Sequence, residues 1–193
     1  LMTAVAALGL LVSHGAADAE RNQVGTVKYA RGDVTRAAKG SKDFSPLKKG
    51  FKLFEGDQIK TAKRSRFEAA LSDGSVLRLG SKSQLQLEGV LNQPKKKKRD
   101  IKAKLMAGKV WASVRKMAGT DTQFSVSTSH AVAGVRGTRF QAAVDKAGTT
   151  VKVYSGSVLV SNEPIYKVKG HTKAKRVQVA GPQEISKKQW NEM

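Results

Sequence analysis

Apolar and polar residues alternate along most of the chain from Val24 onward, in short segments with the two-residue period of half-buried β-strands. Single glycines and Gly-Asp or Asp-Gly pairs separate these segments, and such residues favour tight turns. Helical periodicity is nearly absent, and only residues Ser186 to Met193 have the pattern of a short terminal helix. The pattern therefore predicts an all-β domain built from short strands.

The clearest local prediction is a β-hairpin near the middle of the chain. Apolar positions alternate from Phe67 to Leu71, and a second alternating run begins at Val76. Asp73 and Gly74 lie between the two runs. An Asp-Gly pair in this position is the strongest short-range signal for a hairpin.

Gly56 and Asp57 mark a similar turn between the apolar segments around Leu53 and Ile59. Such strand–turn–strand units fit consecutive hairpins and also the rungs of a solenoid. We therefore expect tight Gly/Asp turns to connect short strands in a β-roll or β-solenoid-like fold. An antiparallel β-sandwich is the alternative architecture.

Residues 1–19 have the features of a secretory signal peptide. An apolar run from Ala4 to Val12 precedes the small residues Ala17 and Ala19, which predict cleavage after Ala19. The run is too short to cross a bilayer, which takes about 20 residues. A helix that stays attached, or acts as an uncleaved anchor, is the alternative. Because no basic residue precedes the run, we expect that the start at Leu1 is truncated.

Lysine and arginine together number 36 against 15 aspartates and glutamates, so the formal net charge is +21. A charge of this size bears on solubility and partners rather than on fold. In a cytoplasm it would favour nucleic acid as the partner. For an exported protein, the available polyanions are lipopolysaccharide phosphates, anionic lipid headgroups and peptidoglycan carboxylates. Export therefore predicts a cell-envelope partner.

A run of five cations follows Pro94. Such a run, taken alone, is typical of a nucleic-acid-binding patch. Like charges repel one another and cannot pack together, so we favour a solvated loop between two strands. The run consists of Lys95, Lys96, Lys97, Lys98 and Arg99.

The most distinctive segment extends from Phe124 to Phe140 and contains the sequence Gly-Val-Arg-Gly-Thr. With other short signatures in a fixed order, it resembles the FecR domain family over roughly residues 24–162. The other matching signatures lie at residues 25–27, 56–61, 73–75, 105–110 and 153–158. The central motif contributes Thr128, Ala131, Gly134, Val135, Arg136, Gly137, Thr138 and Phe140.

The FecR resemblance implies an all-β, roll-like or solenoid-like domain that works outside the cytoplasm. It further implies the sensing part of a sigma-factor regulator, which receives a signal from an outer-membrane receptor. No helical anti-sigma segment and no transmembrane helix accompany the β region in this sequence. We therefore expect a freestanding, exported form of the sensor module, located in the periplasm or elsewhere in the envelope.

Three segments are expected along the chain. Residues 1–19 form the signal peptide, and residues 20–162 form the FecR-like β domain. Residues 163–193 form a basic C-terminal extension with a last strand pair and the short terminal helix.

Gly134 and Gly137 bracket Val135 and Arg136 in the central motif. Glycine permits backbone paths that other residues resist, so we expect a tightly shaped loop here. The guanidinium of Arg136 has two interpretations. It holds the loop by donating to neighbouring carbonyls or a carboxylate, which we favour, or it presents its donors to an anionic ligand.

The sequence offers little support for metal or catalytic chemistry. It contains no cysteine, and His14, His130 and His171 lie far apart, so we expect neither a metal site nor a cofactor. We expect His130 to pack beside the glycine-rich loop. Most carboxylates occupy turn positions, and neither a nucleophile elbow nor a phosphate-binding glycine loop occurs. We therefore expect that the protein is not an enzyme.

The leading hypothesis is a noncatalytic envelope sensing and binding module that engages a protein partner or an anionic polymer such as peptidoglycan or lipopolysaccharide. The first alternative is a nucleic-acid-binding protein that uses Tyr29, Trp111 and Tyr154 for stacking. The second is a wall-polysaccharide hydrolase that uses Asp57 and Asp73 as its carboxylates.

Overall fold

A computed structural model describes residues 22–93, 98–116, 121–161 and 176–180 of the chain. Every regular element in these ranges is a β-strand, so the all-β prediction is confirmed. The strands are β1 (Gln23–Arg31), β2 (Val34–Ala37), β3 (Ser45–Pro46), β4 (Lys52–Phe54), β5 (Gln58–Thr61), β6 (Arg66–Leu71), β7 (Val76–Leu79), β8 (Ser83–Gln93), β9 (Lys98–Ser113), β10 (Asp121–Ser127), β11 (Val132–Val135), β12 (Arg139–Asp145), β13 (Gly148–Ser155), β14 (Ser157–Ser161) and β15 (Arg176–Ala180).

The strands form one continuous sheet with two halves that share β9. The β1 half has the order β4-β1-β6-β7-β9-β12-β13. The β2 half has the order β3-β2-β5-β8-β9-β10-β11-β14-β15. All of these pairs are antiparallel except β9 with β10, which is parallel.

Strand β9 passes from one half to the other at Gly108. Up to Ala107 it pairs with β8 of the β2 half, and from Gly108 onward it pairs with β12 of the β1 half. Gly108 has a φ of +80°, a conformation that side chains disfavour. A Cβ at this position would also lie 2.6 Å from the carbonyl oxygen of Lys82. Only glycine fits this bend without displacing its neighbours.

Both halves contribute to a single hydrophobic core. Phe124 of β10 and Phe140 of β12 meet edge to face across it, with ring centroids 6.5 Å apart and an interplanar angle of 64°. Such a pair contributes about 0.5–1.5 kcal/mol beyond its buried area. The largest fully buried side chains are Phe67, Phe124, Phe140, Leu53, Ile59, Leu77, Leu79, Leu85, Leu87, Ile101, Leu105 and Val24.

The chain alternates between the two halves, and glycines with positive φ lie at several of the crossings. The crossings from β1 to β2, β4 to β5, β11 to β12 and β13 to β14 contain Gly32, Gly56, Gly137 and Gly156, with φ values of +78°, +86°, +62° and +84°. Repeated crossing between two halves of a curled sheet agrees with the roll-like expectation.

The two predicted turns have different outcomes. Asp73 and Gly74 connect β6 to β7, which pair with each other, so the predicted hairpin is confirmed. Gly56 and Asp57 also lie between two strands, but β4 pairs with β1 whereas β5 pairs with β2 and β8. This turn is therefore a crossing between the two halves rather than a hairpin. Turn residues predict that the chain changes direction, but they do not specify which strands pair with each other.

Two local predictions are wrong. Gly134 was expected in a loop, but it lies within β11, opposite Ser125 and Leu159, because a glycine backbone can pair in a sheet like any other. Lys98 and Arg99 were expected in a solvated loop, but they begin β9. Their backbones pair with β8 and β10, which does not require apolar side chains.

Several expectations fall outside the described residues. These are the signal peptide, the terminal helix, His14, His171 and the cations at 95–97. Of the C-terminal extension, the described part is β15, which pairs with β14. Within the ranges that the structure covers, no helix is long and apolar enough to span a membrane.

Candidate functional site

A cleft of about 330 Å³ lies at one end of the β1 half, where three parts of the chain converge. They are the β6–β7 turn with Gly74, the segment that follows β9, and the crossing from β11 to β12 with Gly137. Three cations line the cleft: Arg115, Lys116 and Arg139. The cleft therefore unites two of the sequence signatures with a concentration of positive charge.

The β6–β7 turn anchors the cation-bearing segment from one side. Asp73 is buried, and its two carboxylate oxygens accept from the backbone N–H (2.9 Å) and the hydroxyl (2.8 Å) of Ser75. The Ser75 hydroxyl oxygen in turn accepts from the backbone N–H of Arg115 at 3.1 Å. The Asp73 carboxylate thus holds the backbone beneath Arg115 through one intervening side chain.

The β11–β12 crossing anchors the same segment from the other side. Thr138 is buried, and its carbonyl oxygen accepts from the backbone N–H of Val114 at 2.9 Å. Its hydroxyl lies 2.8 Å from the carbonyl oxygen of Ser157 and 3.2 Å from that of Arg136. The threonine of the Gly-Val-Arg-Gly-Thr motif therefore ties two crossings to the end of β9.

The two turn glycines make room for the cations. A Cβ at Gly74 would lie 3.2 Å from Nη1 of Arg115, and a Cβ at Gly137 would lie 2.8 Å from Cβ of Lys116. Larger residues at these positions would displace the two cationic side chains. The glycines therefore shape the cleft as well as adopting the positive φ of their turns.

The floor of the cleft contains a cross-strand row on the outward face of the sheet. Arg139 of β12 pairs with Ser113 of β9 on one side and with Ser155 of β13 on the other. All three line the cleft. Among the described residues, neither serine hydroxyl has a hydrogen-bond partner. The row places two hydroxyl donors beside one guanidinium.

Among the residues that the structure describes, no carboxylate lines the cleft. The ion pairs found in the described ranges lie elsewhere: Arg36 with Asp57, Lys39 with Glu55, and Arg78 with Glu68. Within those ranges, the cleft cations have no acidic partner. The cleft can therefore attract an anion from solution.

The remaining motif residues build the frame around the cleft. Val135 and Phe140 are buried in the core, while Arg136 is exposed on the crossing itself. Thr128 closes the turn before β11: its hydroxyl lies 3.1 Å from the carbonyl oxygen of Ala131, accepts from the Ala131 N–H at 2.9 Å, and lies 2.8 Å from the Thr149 hydroxyl.

His130 was expected to pack beside the glycine-rich loop, but its side chain is exposed and its Nδ1 lies 2.9 Å from the Ser129 hydroxyl. The expectation was wrong because the turn closed by Thr128 directs residue 130 towards solvent. In the described part of the chain, no group of three or more His, Cys, Asp or Glu could hold a metal ion.

Asp57 is fully buried, and its carboxylate is bonded within the fold. Its carboxylate accepts from Nη2 of Arg36 at 2.7 Å and from the Phe54 N–H at 2.9 Å. The Arg36 guanidinium also lies over the ring of Phe51, 5.1 Å from its centroid. Asp57 and Asp73, the two carboxylates of the hydrolase hypothesis, therefore both stabilise turns and point away from solvent.

Two of the three aromatic residues considered for stacking contact their neighbours in the sheet. Trp111 covers Gly80, where a Cβ would lie 2.8 Å from its Cζ3. The Tyr154 hydroxyl donates to Oε1 of Gln141 at 3.0 Å. Burial raises the pKa of Tyr154. Tyr29 is 44 % exposed.

The sequence pattern identified the turns of the cleft but not the cations that line it. Arg115, Lys116 and Arg139 each adjoin a strand end or a motif, yet cations are common along this chain. The predicted basic patch draws attention to the opposite end of β9, where Lys98 and Arg99 lie. Proximity to a turn glycine is the sequence signal that could have separated the cleft cations from the many others in the chain.

A family model described as FecR protein matches residues 57–159, which is more than half of the chain. This chain belongs to the FecR family. The match includes the β6–β7 hairpin, β9 and both crossings beside the cleft. FecR proteins are regulatory and non-enzymatic, and they are typically membrane-associated with periplasmic domains. The resemblance predicted from the motif is confirmed.

Among solved structures, the FecR chain is similar to two crystal structures of a candidate anti-sigma factor from Parabacteroides distasonis. The sequences are 18% identical, and the TM-scores are 0.48 and 0.47. Each similarity covers 64% of this chain and 51% of the other, so the FecR chain spans about half the length of those proteins. No curated protein matches the chain.

Proposed function

We propose that this FecR chain is a noncatalytic sensing and binding module of the bacterial cell envelope. After cleavage near Ala19, it works in the periplasm or elsewhere outside the cytoplasm. It engages a partner through the cleft of Arg115, Lys116 and Arg139. The partner is an envelope protein with an acidic surface, or an anionic polymer such as peptidoglycan or lipopolysaccharide.

One observation carries the proposal: the cations of the cleft meet where the backbone is bonded from two sides, and they face no acidic residue in the described chain. The backbone N–H of Arg115 is bonded to the β6–β7 turn, and that of Val114 to the β11–β12 crossing. A preorganised group loses little conformational freedom on binding, which favours affinity.

The overall charge and the cleft have different roles in this proposal. A net charge of +21 attracts any polyanion over long distances and accelerates encounter. That attraction is screened within about 10 Å at 0.1 M salt, so it supplies little specificity. The cleft supplies specificity because its donors act at hydrogen-bonding distance.

Capture of partners from an envelope extract tests the proposal. The full mature chain is immobilised and the extract is applied at low and at raised salt. We expect a partner that is retained at raised salt and lost in the Arg115→Ala/Arg139→Ala variant. The control variant Lys48→Ala/Lys49→Ala removes the same charge from an exposed loop and should retain the partner. Binding that disappears with salt for every partner, or equally in both variants, would contradict the proposal.

Localisation is tested separately by cell fractionation and mass spectrometry of the natural protein. We expect the protein in the envelope or periplasmic fraction, with Glu20 at its N-terminus. A mature protein found mainly in the cytoplasm would contradict the envelope assignment and would favour the nucleic-acid alternative.

A further inference from the structure

We propose that the cleft is a binding site for a phosphate group carried by an envelope component. This inference rests on the proposed function and names the chemical class of ligand. It depends on which donors face the cleft, on how their backbone is held, and on the absence of carboxylates among the described side chains that line it.

The donors of the cleft are numerous and of two kinds. Arg115, Lys116 and Arg139 supply charged N–H donors, and Ser113 and Ser155 supply hydroxyls. The hydroxyls belong to the cross-strand row that flanks Arg139. None of the five side chains has a hydrogen-bond partner among the described residues. The site therefore gathers three cations and two hydroxyls around one small cleft.

A phosphate group matches this set better than a single carboxylate does. A terminal phosphate carries about −1.5 to −2 charges near pH 7 and three strongly accepting oxygens. A carboxylate carries one charge and two oxygens. Three cations and two hydroxyls can be satisfied together by a phosphate, whereas a carboxylate would leave some of the charge without a counterpart. Arginine also pairs with phosphate through two parallel hydrogen bonds.

The cleft is prepared for such a group before it binds. Gly74 and Gly137 allow the side chains of Arg115 and Lys116 to lie against the two turns. The buried carboxylate of Asp73 is bonded to Ser75 and adds no acceptor to the cleft. An anion entering the cleft therefore meets cations carried by an anchored backbone, and no carboxylate among the described lining residues repels it.

Isothermal titration of the full mature chain at constant ionic strength tests this inference. The probes are inorganic phosphate, acetate and a tetraglutamate peptide, and lipopolysaccharide micelles before and after removal of their phosphates. We expect saturable, one-site binding of inorganic phosphate and at least tenfold weaker binding of acetate and of the peptide. Removal of the phosphates should weaken the binding of the micelles at least tenfold.

Variants connect the binding to the cleft. Arg139→Gln should weaken inorganic phosphate at least tenfold, and Ser113→Ala should weaken it about threefold, because the serine donates one neutral hydrogen bond. Lys48→Ala/Lys49→Ala should bind as the natural chain does. Unfolding curves of all variants report whether each is folded. Ser113→Ala removes only one hydroxyl, so its phosphate affinity tests the cleft even if Arg139→Gln fails to fold.

Three outcomes would overturn the inference. The first is equal weakening of phosphate in the cleft and control variants, which would indicate a diffuse polycation. The second is tighter binding of the acidic peptide than of phosphate, which would indicate a protein segment as ligand. The third is micelle binding that does not depend on the phosphates. In each case, salt-resistant capture of a partner by the cleft would still support the proposed function, so the two failures are distinguishable.

Discussion

At the scale of single residues, buried polar groups of this FecR chain stabilise its turns. Asp57, Asp73 and Thr138 are all buried, and each bonds to backbone or side-chain donors or acceptors of a neighbouring segment. A buried polar group without a partner costs about 1–3 kcal/mol, so each of these residues is matched to its surroundings. Asp57 is the most demanding of the three, because it is fully buried and its partner is the guanidinium of Arg36.

Asp57→Asn should destabilise the fold by about 3 kcal/mol. The substitution keeps the shape of the side chain but removes the charge opposite Arg36, whose side chain is only 11% exposed. Loss of one partner from a buried ion pair typically costs about 3–5 kcal/mol, because the other charge stays buried. Urea unfolding measures the change. The exposed Asp33→Asn is the matched control, and equal stability of the two variants would contradict the structural role of Asp57.

At the scale of elements, β9 determines how the two halves are joined. Its first part pairs with β8 and β10, and its last part pairs with β7 and β12. The Ser83 hydroxyl oxygen accepts from the Lys109 N–H at 2.9 Å, immediately after the bend at Gly108. The bend and this bond together allow one strand to serve both halves.

Gly108→Ala should destabilise the protein by about 3 kcal/mol or more, and Gly40→Ala should cost about 1 kcal/mol. Both glycines have similar positive φ values, +80° and +76°. An alanine in this conformation costs about 1–2 kcal/mol. A Cβ at Gly108 would additionally collide with Ser83 and Lys82, whereas nothing lies within 4 Å at Gly40. Chemical unfolding compares them, and an equal loss would show that the collision at Gly108 is relieved without cost.

At the scale of the whole molecule, charge repulsion opposes folding. The chain contains 36 cationic and 15 acidic side chains. The two more exposed ion pairs of the described chain, Lys39 with Glu55 and Arg78 with Glu68, are each worth about 1 kcal/mol or less. We expect repulsion among the unbalanced positive charges to outweigh these two attractions, and the same charge attracts anionic partners.

Added sodium chloride should therefore stabilise the fold. Raising the salt from about 0.02 to 0.5 M shortens the screening length from roughly 20 Å to about 4 Å, which weakens repulsion across the surface. We expect the urea midpoint to rise over this range, and to rise less in the Lys48→Glu/Lys49→Glu variant because that variant carries less positive charge. Phosphate buffers are avoided, so that phosphate binding in the cleft does not contribute to the change in the urea midpoint. A falling midpoint would mean that the ion pairs outweigh the repulsion.

The strand content and the family could be predicted because both depend on local signals. Alternation from Phe67 to Leu71 and the turn at Asp73 and Gly74 placed the hairpin correctly, since both strands adjoin the turn. Gly56 and Asp57 do not form a hairpin, because β4 pairs with β1 and β5 pairs with β2. A two-residue period identifies a strand but carries no information about its neighbour.

The sequence by itself determined an all-β chain, its FecR motifs and its excess of positive charge, because these follow from residue types and their spacing. Only the tertiary structure decided that Arg115, Lys116 and Arg139 share one cleft, and that Asp57 is buried against Arg36. Asp57 lies 21 positions from Arg36, and Arg115 lies 40 positions from Ser75, which holds its backbone. Hydrogen bonding between distant strands brings such groups together, and no local pattern records which strands will pair.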